Sequence, residues 1–163
     1  MKTVAAALFA ASLALGSAAH AQGLAQTDGP PAANAGADAA SFLAANAKLP
    51  GVVTLPSGLQ YKVVQAGPAG PSPKAGDVVK VQYEGSFPSG KVFDATPPGK
   101  SAIMPLEGLV AAWMEAIPMM HVGDQWVLYV PPALGYGPGG AGPIPPNSAL
   151  VFKVKLVGML TQD

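Results

Sequence analysis

The sequence DVVKVQYEGSF, from Asp77 to Phe87, decides the fold class. Its apolar side chains fall on alternate positions and share one face of an extended chain: Val79, Val81, Tyr83 and Phe87. The polar side chains between them share the other face: Lys80, Gln82, Glu84 and Ser86. Because this period of two is typical of a half-buried strand, the segment is predicted to be a β-strand with one face on a core.

Four further segments are predicted to be strands of the same sheet: residues 59–64, 91–94, 125–130 and 149–160. The turn Pro88-Ser89-Gly90 leads from the first strand directly into residues 91–94, which indicates a hairpin. Residues 125–130 are apolar on both faces, so this strand is expected to be central, and residues 149–160 are expected to close the sheet. Gly85 is assigned no role beyond a permissive backbone.

One short helix is predicted between these strands. Leu109, Trp113 and Ile117 recur at four-residue spacing until Pro118 ends the pattern. A single helix with one apolar stripe must bury that stripe against the concave face of the sheet. The predicted fold class is therefore α+β, with an antiparallel sheet of about five strands wrapped around one short helix.

Residues 1–21 have the pattern of a secretory signal peptide. Lys2 supplies a positive start, residues 4–15 are apolar, and Ala19-His20-Ala21 is a small-x-small cleavage motif. The alternative, a transmembrane anchor, needs ~20 apolar residues, more than this run contains. We therefore expect export to the periplasm, with secretion as the alternative, and no membrane anchor.

The rest of the chain is divided by composition. Residues 22–40 offer almost nothing to bury and are predicted to be a disordered tether. Residues 41–55 are predicted to be a short helix and a lead-in segment, with the helix over residues 39–48 built around Phe42 and Leu43. Residues 56–163 then form the main domain.

Composition excludes several classes of function. The nine positive side chains are all lysine and balance nine acidic ones, so a nucleic-acid partner is not expected. The absence of cysteine excludes a thiol nucleophile, a disulfide scaffold and a zinc–cysteine site. His121, the one histidine after the signal peptide, lies in a predicted turn and is assigned a structural or solvent-facing role. No metal site and no cofactor are expected.

The segment from 131 to 147 is the strongest candidate for function. It holds six prolines and five glycines between two predicted strands, and connections of this length are uncommon inside compact domains unless they are functional or disordered. Leu134, Tyr136 and Ile144 argue against disorder, because their apolar surface would otherwise be exposed to water. We therefore expect an ordered loop that borders a pocket.

Five motifs together resemble the FKBP-type peptidyl-prolyl cis-trans isomerases in order and spacing. They are the strand VVKVQYEG at 78–85, the hairpin GKVFD at 90–94, the helix with Trp113, LGYG at 134–137 and IPPNSALVF at 144–152. The resemblance spans residues 56–160, and the preceding FLAANAK and LPSGLQY segments resemble periplasmic bacterial members of the macrophage-infectivity-potentiator type.

This resemblance implies a proline pocket. Its catalytic side chains would be Asp94, Tyr136 and Phe93, and its substrate-binding side chains would be Tyr83, Met104, Leu109, Val110, Trp113, Ile144 and Phe152. Trp113 would form the floor, Asp94 would face the substrate amide, and the Tyr136 hydroxyl would bind a substrate carbonyl. Proline-containing polypeptides would be the substrates, and macrolide inhibitors would be further ligands.

The chain departs from the family pattern in two ways that affect this pocket. Ala102 stands where many members have an aromatic wall, so the pocket is expected to be more open and to bind macrolides less well. The arginine that frequently follows the Asp94 position is missing, and Lys100 is the nearest possible substitute.

Such a pocket would accelerate rotation about Xaa-Pro bonds without bond cleavage, because a dry apolar site disfavours the planar, charge-separated amide relative to the twisted one. Two alternatives remain open at this stage. One is a chaperone module that binds polypeptide in the same pocket with little turnover, and the other is a structural β-domain that binds no proline peptide. Because residues 22–47 are too few to build the long helical domain through which larger relatives dimerise, a monomer is predicted.

Overall fold

The computed structural model of the protein describes residues 35–161. Its two α-helices are α1 (Ala35–Asn46) and α2 (Ala111–Ala116). Its seven strands are β1 (Val52–Thr54), β2 (Gln60–Gln65), β3 (Val78–Ser86), β4 (Val92–Ala95), β5 (Ala102–Pro105), β6 (Gln125–Val130) and β7 (Leu150–Leu160). The predicted signal peptide at 1–21 and residues 22–34 of the predicted tether lie outside the described residues.

All seven strands belong to one antiparallel sheet with the order β1-β2-β6-β7-β3-β4. β4 and β5 pair with successive halves of the same edge of β3, and β7 pairs with the other edge along the whole of β3. The inner face of the sheet carries the buried side chains of Val81, Leu128 and Phe152. The outer face carries Gln82, Glu84 and the lysines of β7.

The predicted fold class is confirmed, and all five predicted segments form strands. The sheet has two more strands than expected, because β1 and β5 are too short, with three and four residues, to display an alternating pattern. The segment expected to close the sheet, β7, instead lies in its middle, between β6 and β3. Its burial on the inner face is continuous from Leu150 to Leu156, as a central position requires.

Helix α2 packs on the inner face, as its apolar stripe predicts. Ala112, Trp113 and Ala116 are fully buried, and Pro118 falls in a 3-10 turn (Ile117–Met119) that ends the helical segment. Leu109 and Val110 precede the helix, and Val110 is its N-cap residue. The helix is therefore shorter than the four-residue spacing of its apolar residues suggests.

Helix α1 lies against the outer face at the β2–β6 end of the sheet. The Phe42 ring contacts Tyr129 at 6.2 Å between centroids, and the Asn46 amide donates to Gln60 Oε1 at 2.8 Å. Gln60 in turn donates to the Leu43 carbonyl, so these contacts fix the C-terminal half of the helix on the sheet. The helix begins at Ala35, so residues 35–40, predicted to belong to a disordered tether, are helical. Alanine-rich sequence favours this extension, because alanine is the strongest helix former.

Within residues 35–161 no helix is both long and apolar enough to cross a membrane.

Gly85 has a structural role that the sequence reading did not assign. A Cβ atom at this position would lie 2.8 Å from both the Phe152 ring and the Phe93 ring. Its backbone does not adopt the left-handed conformation, so freedom of φ is not the reason for glycine here. The reason is space, because a strand glycine permits the close approach of neighbouring groups.

Gly85→Ala is therefore expected to lower the free energy of unfolding by about 1–3 kcal/mol, the usual cost of overpacking a filled core. The matched control is Gly158→Ala in β7, where a Cβ would meet Lys80 at an ordinary 3.9 Å. The control is expected to change the free energy by no more than about 0.5 kcal/mol. Urea denaturation followed by tryptophan fluorescence measures both, and equal effects would contradict the packing argument.

Candidate functional site

Five aromatic rings form a continuous series of contacts on the inner face of the sheet. Tyr83 meets Trp113 edge-to-face at 5.2 Å, and Trp113 meets Phe152 in the same way at 5.5 Å. Phe152 then meets Phe93 at 5.7 Å and 89°, and Phe87 lies 5.1 Å beyond Phe93. Edge-to-face geometry is the preferred arrangement of aromatic pairs and contributes about 0.5–1.5 kcal/mol per pair beyond burial. These aromatic rings therefore form a rigid wall.

At Tyr83 this series of aromatic rings ends in a polar pair, Tyr83 and Asp94. The Tyr83 hydroxyl donates a hydrogen bond of 2.6 Å to Asp94 Oδ2. Asp94 lies directly opposite Gly85 in the β3–β4 register, so its carboxylate and the ring of Tyr83 meet on the inner face. Burial, followed by this hydrogen bond and the charge of Asp94, raises the pKa of Tyr83 well above its ordinary value. The pair is therefore a neutral phenol bonded to a carboxylate.

The backbone of Tyr83 is held by Thr96, which lies just beyond the end of β4. The Tyr83 amide donates to Thr96 Oγ1 at 3.1 Å, and the Thr96 amide donates to the Tyr83 carbonyl at 2.9 Å. The Thr96 hydroxyl also donates to that carbonyl at 3.3 Å. A threonine side chain thus substitutes for the next rung of the β3–β4 ladder and fixes the strand at the residue that carries the phenol.

Tyr136 enters the same site from the long loop. The loop is built from two 3-10 turns (Pro132–Leu134 and Gly137–Gly139), and the Asn147 amide closes it on the Gly137 carbonyl at 2.8 Å. Burial and the charge of Asp94 raise the pKa of Tyr136 to about 12, so its hydroxyl is neutral at pH 7. Within residues 35–161 this hydroxyl makes no hydrogen bond to protein, which leaves it available to a ligand.

The other side chains predicted for the site belong to the same apolar cluster. Leu109, Val110 and Ile144 are buried in it, and Met104 packs against it from β5. Phe93, Tyr83 and Tyr136 are partly exposed members, whereas Trp113 and Phe152 are fully buried beneath them. The structure therefore brings all ten predicted site residues together, and their roles remain predictions.

Lys100 does not substitute for the missing arginine. It lines a cleft on the outer face of the sheet, together with Lys153 and Lys155. Among residues 35–161 the one lysine in an ion pair is Lys153, which bonds Glu84, so Asp94 has no lysine partner there. The Tyr83 hydroxyl is the group that bonds the carboxylate instead.

The described part of the chain contains no group of three or more His, Cys, Asp or Glu side chains that could hold a metal ion.

Sequence reasoning missed two residues of the site. Gly85 could have been found, because a glycine inside a strongly alternating strand is a sign of close approach. Thr96 could not, because its partner Tyr83 is thirteen residues away and the bonds arise only from strand pairing.

Comparisons with known proteins identify the family of the chain. The family model described as FKBP-type peptidyl-prolyl cis-trans isomerase matches residues 70–157. The chain belongs to this family. A second model, for the domain amino terminal to FKBP-type peptidyl-prolyl isomerase, matches residues 7–63.

Two bacterial relatives show the extent of the similarity. The chain is 50% identical over 121 residues to the peptidyl-prolyl cis-trans isomerase Mip of Coxiella burnetii, covering 73% of this chain and 52% of that protein. It is 44% identical over 121 residues to the outer membrane protein MIP of Legionella longbeachae, with the same 73% and 52% coverage. The chain thus spans about half the length of these curated relatives.

One solved structure has the same fold as this protein over nearly the whole of its own chain. The peptidyl-prolyl cis-trans isomerase of Pseudomonas syringae superimposes with a TM-score of 0.74 at 33% identity, covering 83% of this chain and 99% of that one. The FkpA structure from Escherichia coli gives the same TM-score at 39% identity, covering 78% and 60%. The fold is therefore shared with these two solved structures over most of the chain.

Thr96→Val tests the backbone clamp on Tyr83. The substitution keeps the branched shape but leaves the Tyr83 amide without its acceptor, so the free energy of unfolding is expected to fall by about 1–2 kcal/mol. Thr96→Ser keeps the hydroxyl and is expected to retain most of that stability. Urea denaturation of the three proteins measures the difference, and equal losses for Val and Ser would show that the methyl group matters rather than the hydroxyl.

The raised pKa values of Tyr83 and Tyr136 predict an alkaline loss of stability. A tyrosine whose pKa is raised on folding stabilises the native state fully below the unfolded pKa of 10.0, and that contribution is lost as pH rises through the folded value, about 12 for Tyr136. Urea denaturation across this range is expected to record falling stability, with a shallower fall for Tyr136→Phe.

Spectroscopic titration of tyrosinate absorbance separates the two causes of the raised Tyr136 pKa, which are burial and the charge of Asp94. Asp94→Asn removes the carboxylate charge and is expected to lower the pKa of Tyr136 while leaving it above its ordinary value, because burial is the larger cause. A Tyr136 pKa that does not respond to Asp94→Asn would place the two side chains too far apart to act together.

Proposed function

We propose that the protein is a peptidyl-prolyl cis-trans isomerase that accelerates rotation about Xaa-Pro bonds in exported polypeptides. The observation that carries the proposal is one junction on the inner face of the sheet. There, the aromatic chain from Phe93 to Tyr83 meets a carboxylate and a neutral phenol, Tyr136, that has no protein partner among residues 35–161.

The reaction requires stabilisation of a twisted amide and no bond cleavage. Rotation about a peptide bond faces a barrier of ~18–20 kcal/mol because resonance keeps it planar. In the twisted form the carbonyl loses charge separation and the proline nitrogen becomes an amine. An apolar site therefore favours the twisted form over the planar one, since it solvates the planar dipole poorly.

The chain's own residues divide this work. Phe93 supplies an apolar wall, supported from beneath by Phe152 and the indole of Trp113, and so excludes water from a bound proline ring. The Tyr83 proton is engaged by Asp94, so Tyr83 cannot also donate to a substrate. Tyr136 is the remaining phenol, and its neutral hydroxyl can donate to the carbonyl of a substrate. Asp94 places one negative charge beside the rotating amide.

The energy required is within reach of these effects. A million-fold acceleration corresponds to ~8 kcal/mol of transition-state stabilisation. Desolvation, orientation of the proline ring and one or two hydrogen bonds can together supply such a total.

Export, and action on exported clients, are part of the proposal. The leader-like pattern of residues 1–21 supports it, as does the similarity to a protein named as an outer membrane protein in Legionella longbeachae. We place the protein in the periplasm. A monomer is consistent with α1, which packs on its own sheet through Phe42 and Asn46.

Macrolide inhibitors would enter the same site. Ala102, on the inner face of β5, is partly exposed and small, so it leaves the pocket wider on that side. We expect macrolides to bind, but less tightly than to a member with an aromatic residue there.

A second candidate is a polypeptide-binding chaperone module with little turnover. The observation that favours it is the absence of a cation beside Asp94 among the described residues, which leaves the carboxylate held by Tyr83 alone.

The deciding experiment follows cis-to-trans relaxation of a short Xaa-Pro peptide. The protein is expected to accelerate it, and Phe93→Ala is expected to lower kcat/KM by about tenfold or more, equivalent to ~1.4 kcal/mol of lost transition-state stabilisation. Val92→Ala is the matched control, because Val92 is the preceding residue of β4 and is exposed. It is expected to leave kcat/KM unchanged.

Saturable binding of the peptide without faster relaxation would favour the chaperone module. Absence of any saturable binding would overturn both functions and leave a structural β-domain. Circular dichroism of each variant establishes that it is folded before its rate is compared.

A further inference from the structure

A second concavity lies on the outer face of the sheet, behind the proposed prolyl site. It is a cleft of about 480 Å³ between the strands β3, β6 and β7 and the loop Thr96-Pro97-Pro98-Gly99-Lys100. Because side chains alternate along a strand, Gln82 and Glu84 line the cleft while Tyr83, between them, points to the inner face. Ligand sites in proteins have typical volumes of ~300–1,000 Å³, so the cleft is large enough to hold one.

The loop that walls the cleft is anchored to β3 at its start and closed by a tight turn. Thr96 bonds the backbone of Tyr83, and the Lys100 amide donates to the Pro97 carbonyl within the loop at 2.9 Å. Two consecutive prolines restrict the backbone between them, because the pyrrolidine ring fixes φ. The wall is therefore preorganised, which lowers the entropic cost of binding.

The cleft is positively charged. Lys100, Lys153 and Lys155 line it, against the single carboxylate of Glu84, which Lys153 bonds at 2.8 Å. Two more lysines lie on the same face of the sheet: Lys62, opposite Val127 in the register, and Lys80, two residues before Gln82. Five of the nine lysines of a chain with equal numbers of positive and negative side chains thus lie on one face of the sheet.

The floor of the cleft is apolar, and no segment of residues 35–161 covers it. Val64 is 61% exposed, and Val127 lies beside it on β6. Helix α1 covers the same face farther along, where Phe42 packs on Tyr129, but the helix does not line the cleft. Apolar floor and basic rim together match a ligand that carries both apolar and negatively charged groups.

We infer that this cleft is a docking site for extended acidic polypeptide segments, separate from the prolyl site. The lysines would pair with carboxylates, and the valines and prolines would contact the apolar side chains between them. Complementary charge at such a rim chiefly increases the association rate and the specificity. A groove walled by a loop fits an extended chain, whereas a flat lipid surface could not reach its floor.

The probe is a fluorescent, proline-free peptide in which glutamate alternates with valine, and its binding is measured by fluorescence anisotropy. Lys153→Gln/Lys155→Gln is expected to raise the Kd at least fivefold. Lys74→Gln/Lys91→Gln is the matched control, because it makes the same change in net charge with lysines that do not line the cleft. The control is expected to change the Kd less than twofold, and added salt is expected to weaken binding to the unchanged protein.

Three outcomes would overturn the inference. The first is equal weakening in both double variants, which would assign binding to net charge. The second is displacement of the acidic peptide by a short Xaa-Pro peptide, which would place it in the prolyl site. The third is lysine-dependent binding to phosphatidylglycerol vesicles with no binding of the acidic peptide, which would make the face a membrane contact.

The relaxation assay on a short neutral Xaa-Pro peptide tests the proposed isomerase activity separately from docking in the cleft. Both double variants are expected to retain the kcat/KM of the unchanged protein, since all four lysines lie outside the aromatic cluster.

Discussion

The aromatic chain on which the site depends exists because β3 has no side chain at Gly85. The Phe93 and Phe152 rings come so close to this backbone that a Cβ would lie 2.8 Å from each. Their edge-to-face contact, at 5.7 Å, links the edge strand β4 to the central strand β7 across the strand between them. The same glycine stands opposite Asp94, so the carboxylate is not crowded by a neighbouring side chain. One missing side chain thus permits both the apolar wall and the polar group beside it.

Strand β3 also separates two chemically different surfaces. Val79, Val81 and Tyr83 belong to the inner apolar cluster, whereas Lys80, Gln82 and Glu84 belong to the outer face. The inner surface can exclude water because α2 and the long loop lie against the apolar cluster. The charged side chains of the outer surface stay in contact with water because α1 covers a different part of that face. Thr96 connects the two, since it fixes the backbone of Tyr83 and begins the loop that walls the outer cleft.

The sequence predicts the features that follow from local periodicity and misses those that arise from pairing. The four longer strands, the buried Trp113 and the order of the long loop follow from alternation, helical spacing and the apolar residues within a Gly-Pro segment. β4, with only four residues, is predicted from the Pro88-Ser89-Gly90 turn that precedes it. β1 and β5 have too few residues to display a period, and their existence depends on the strands they pair with. Residues 35–40 were predicted to be disordered for a different reason. An alanine-rich sequence can be either a helix or a disordered segment until a surface such as that around Tyr129 is available for packing.

The clearest difference between expectation and structure concerns the neutralisation of Asp94. The family pattern suggested a cation, and Lys100 was the nearest one in sequence, but the turn at Pro97 carries it to the outer face. The carboxylate is bonded by the Tyr83 hydroxyl instead, and a phenol, unlike a guanidinium, offers one proton in one direction. The orientation of Asp94 therefore depends on the position of the Tyr83 ring, and hence on Thr96 behind it. The Thr96 hydroxyl thus positions Asp94 indirectly, through Tyr83, where the family pattern suggested a direct contact from a guanidinium.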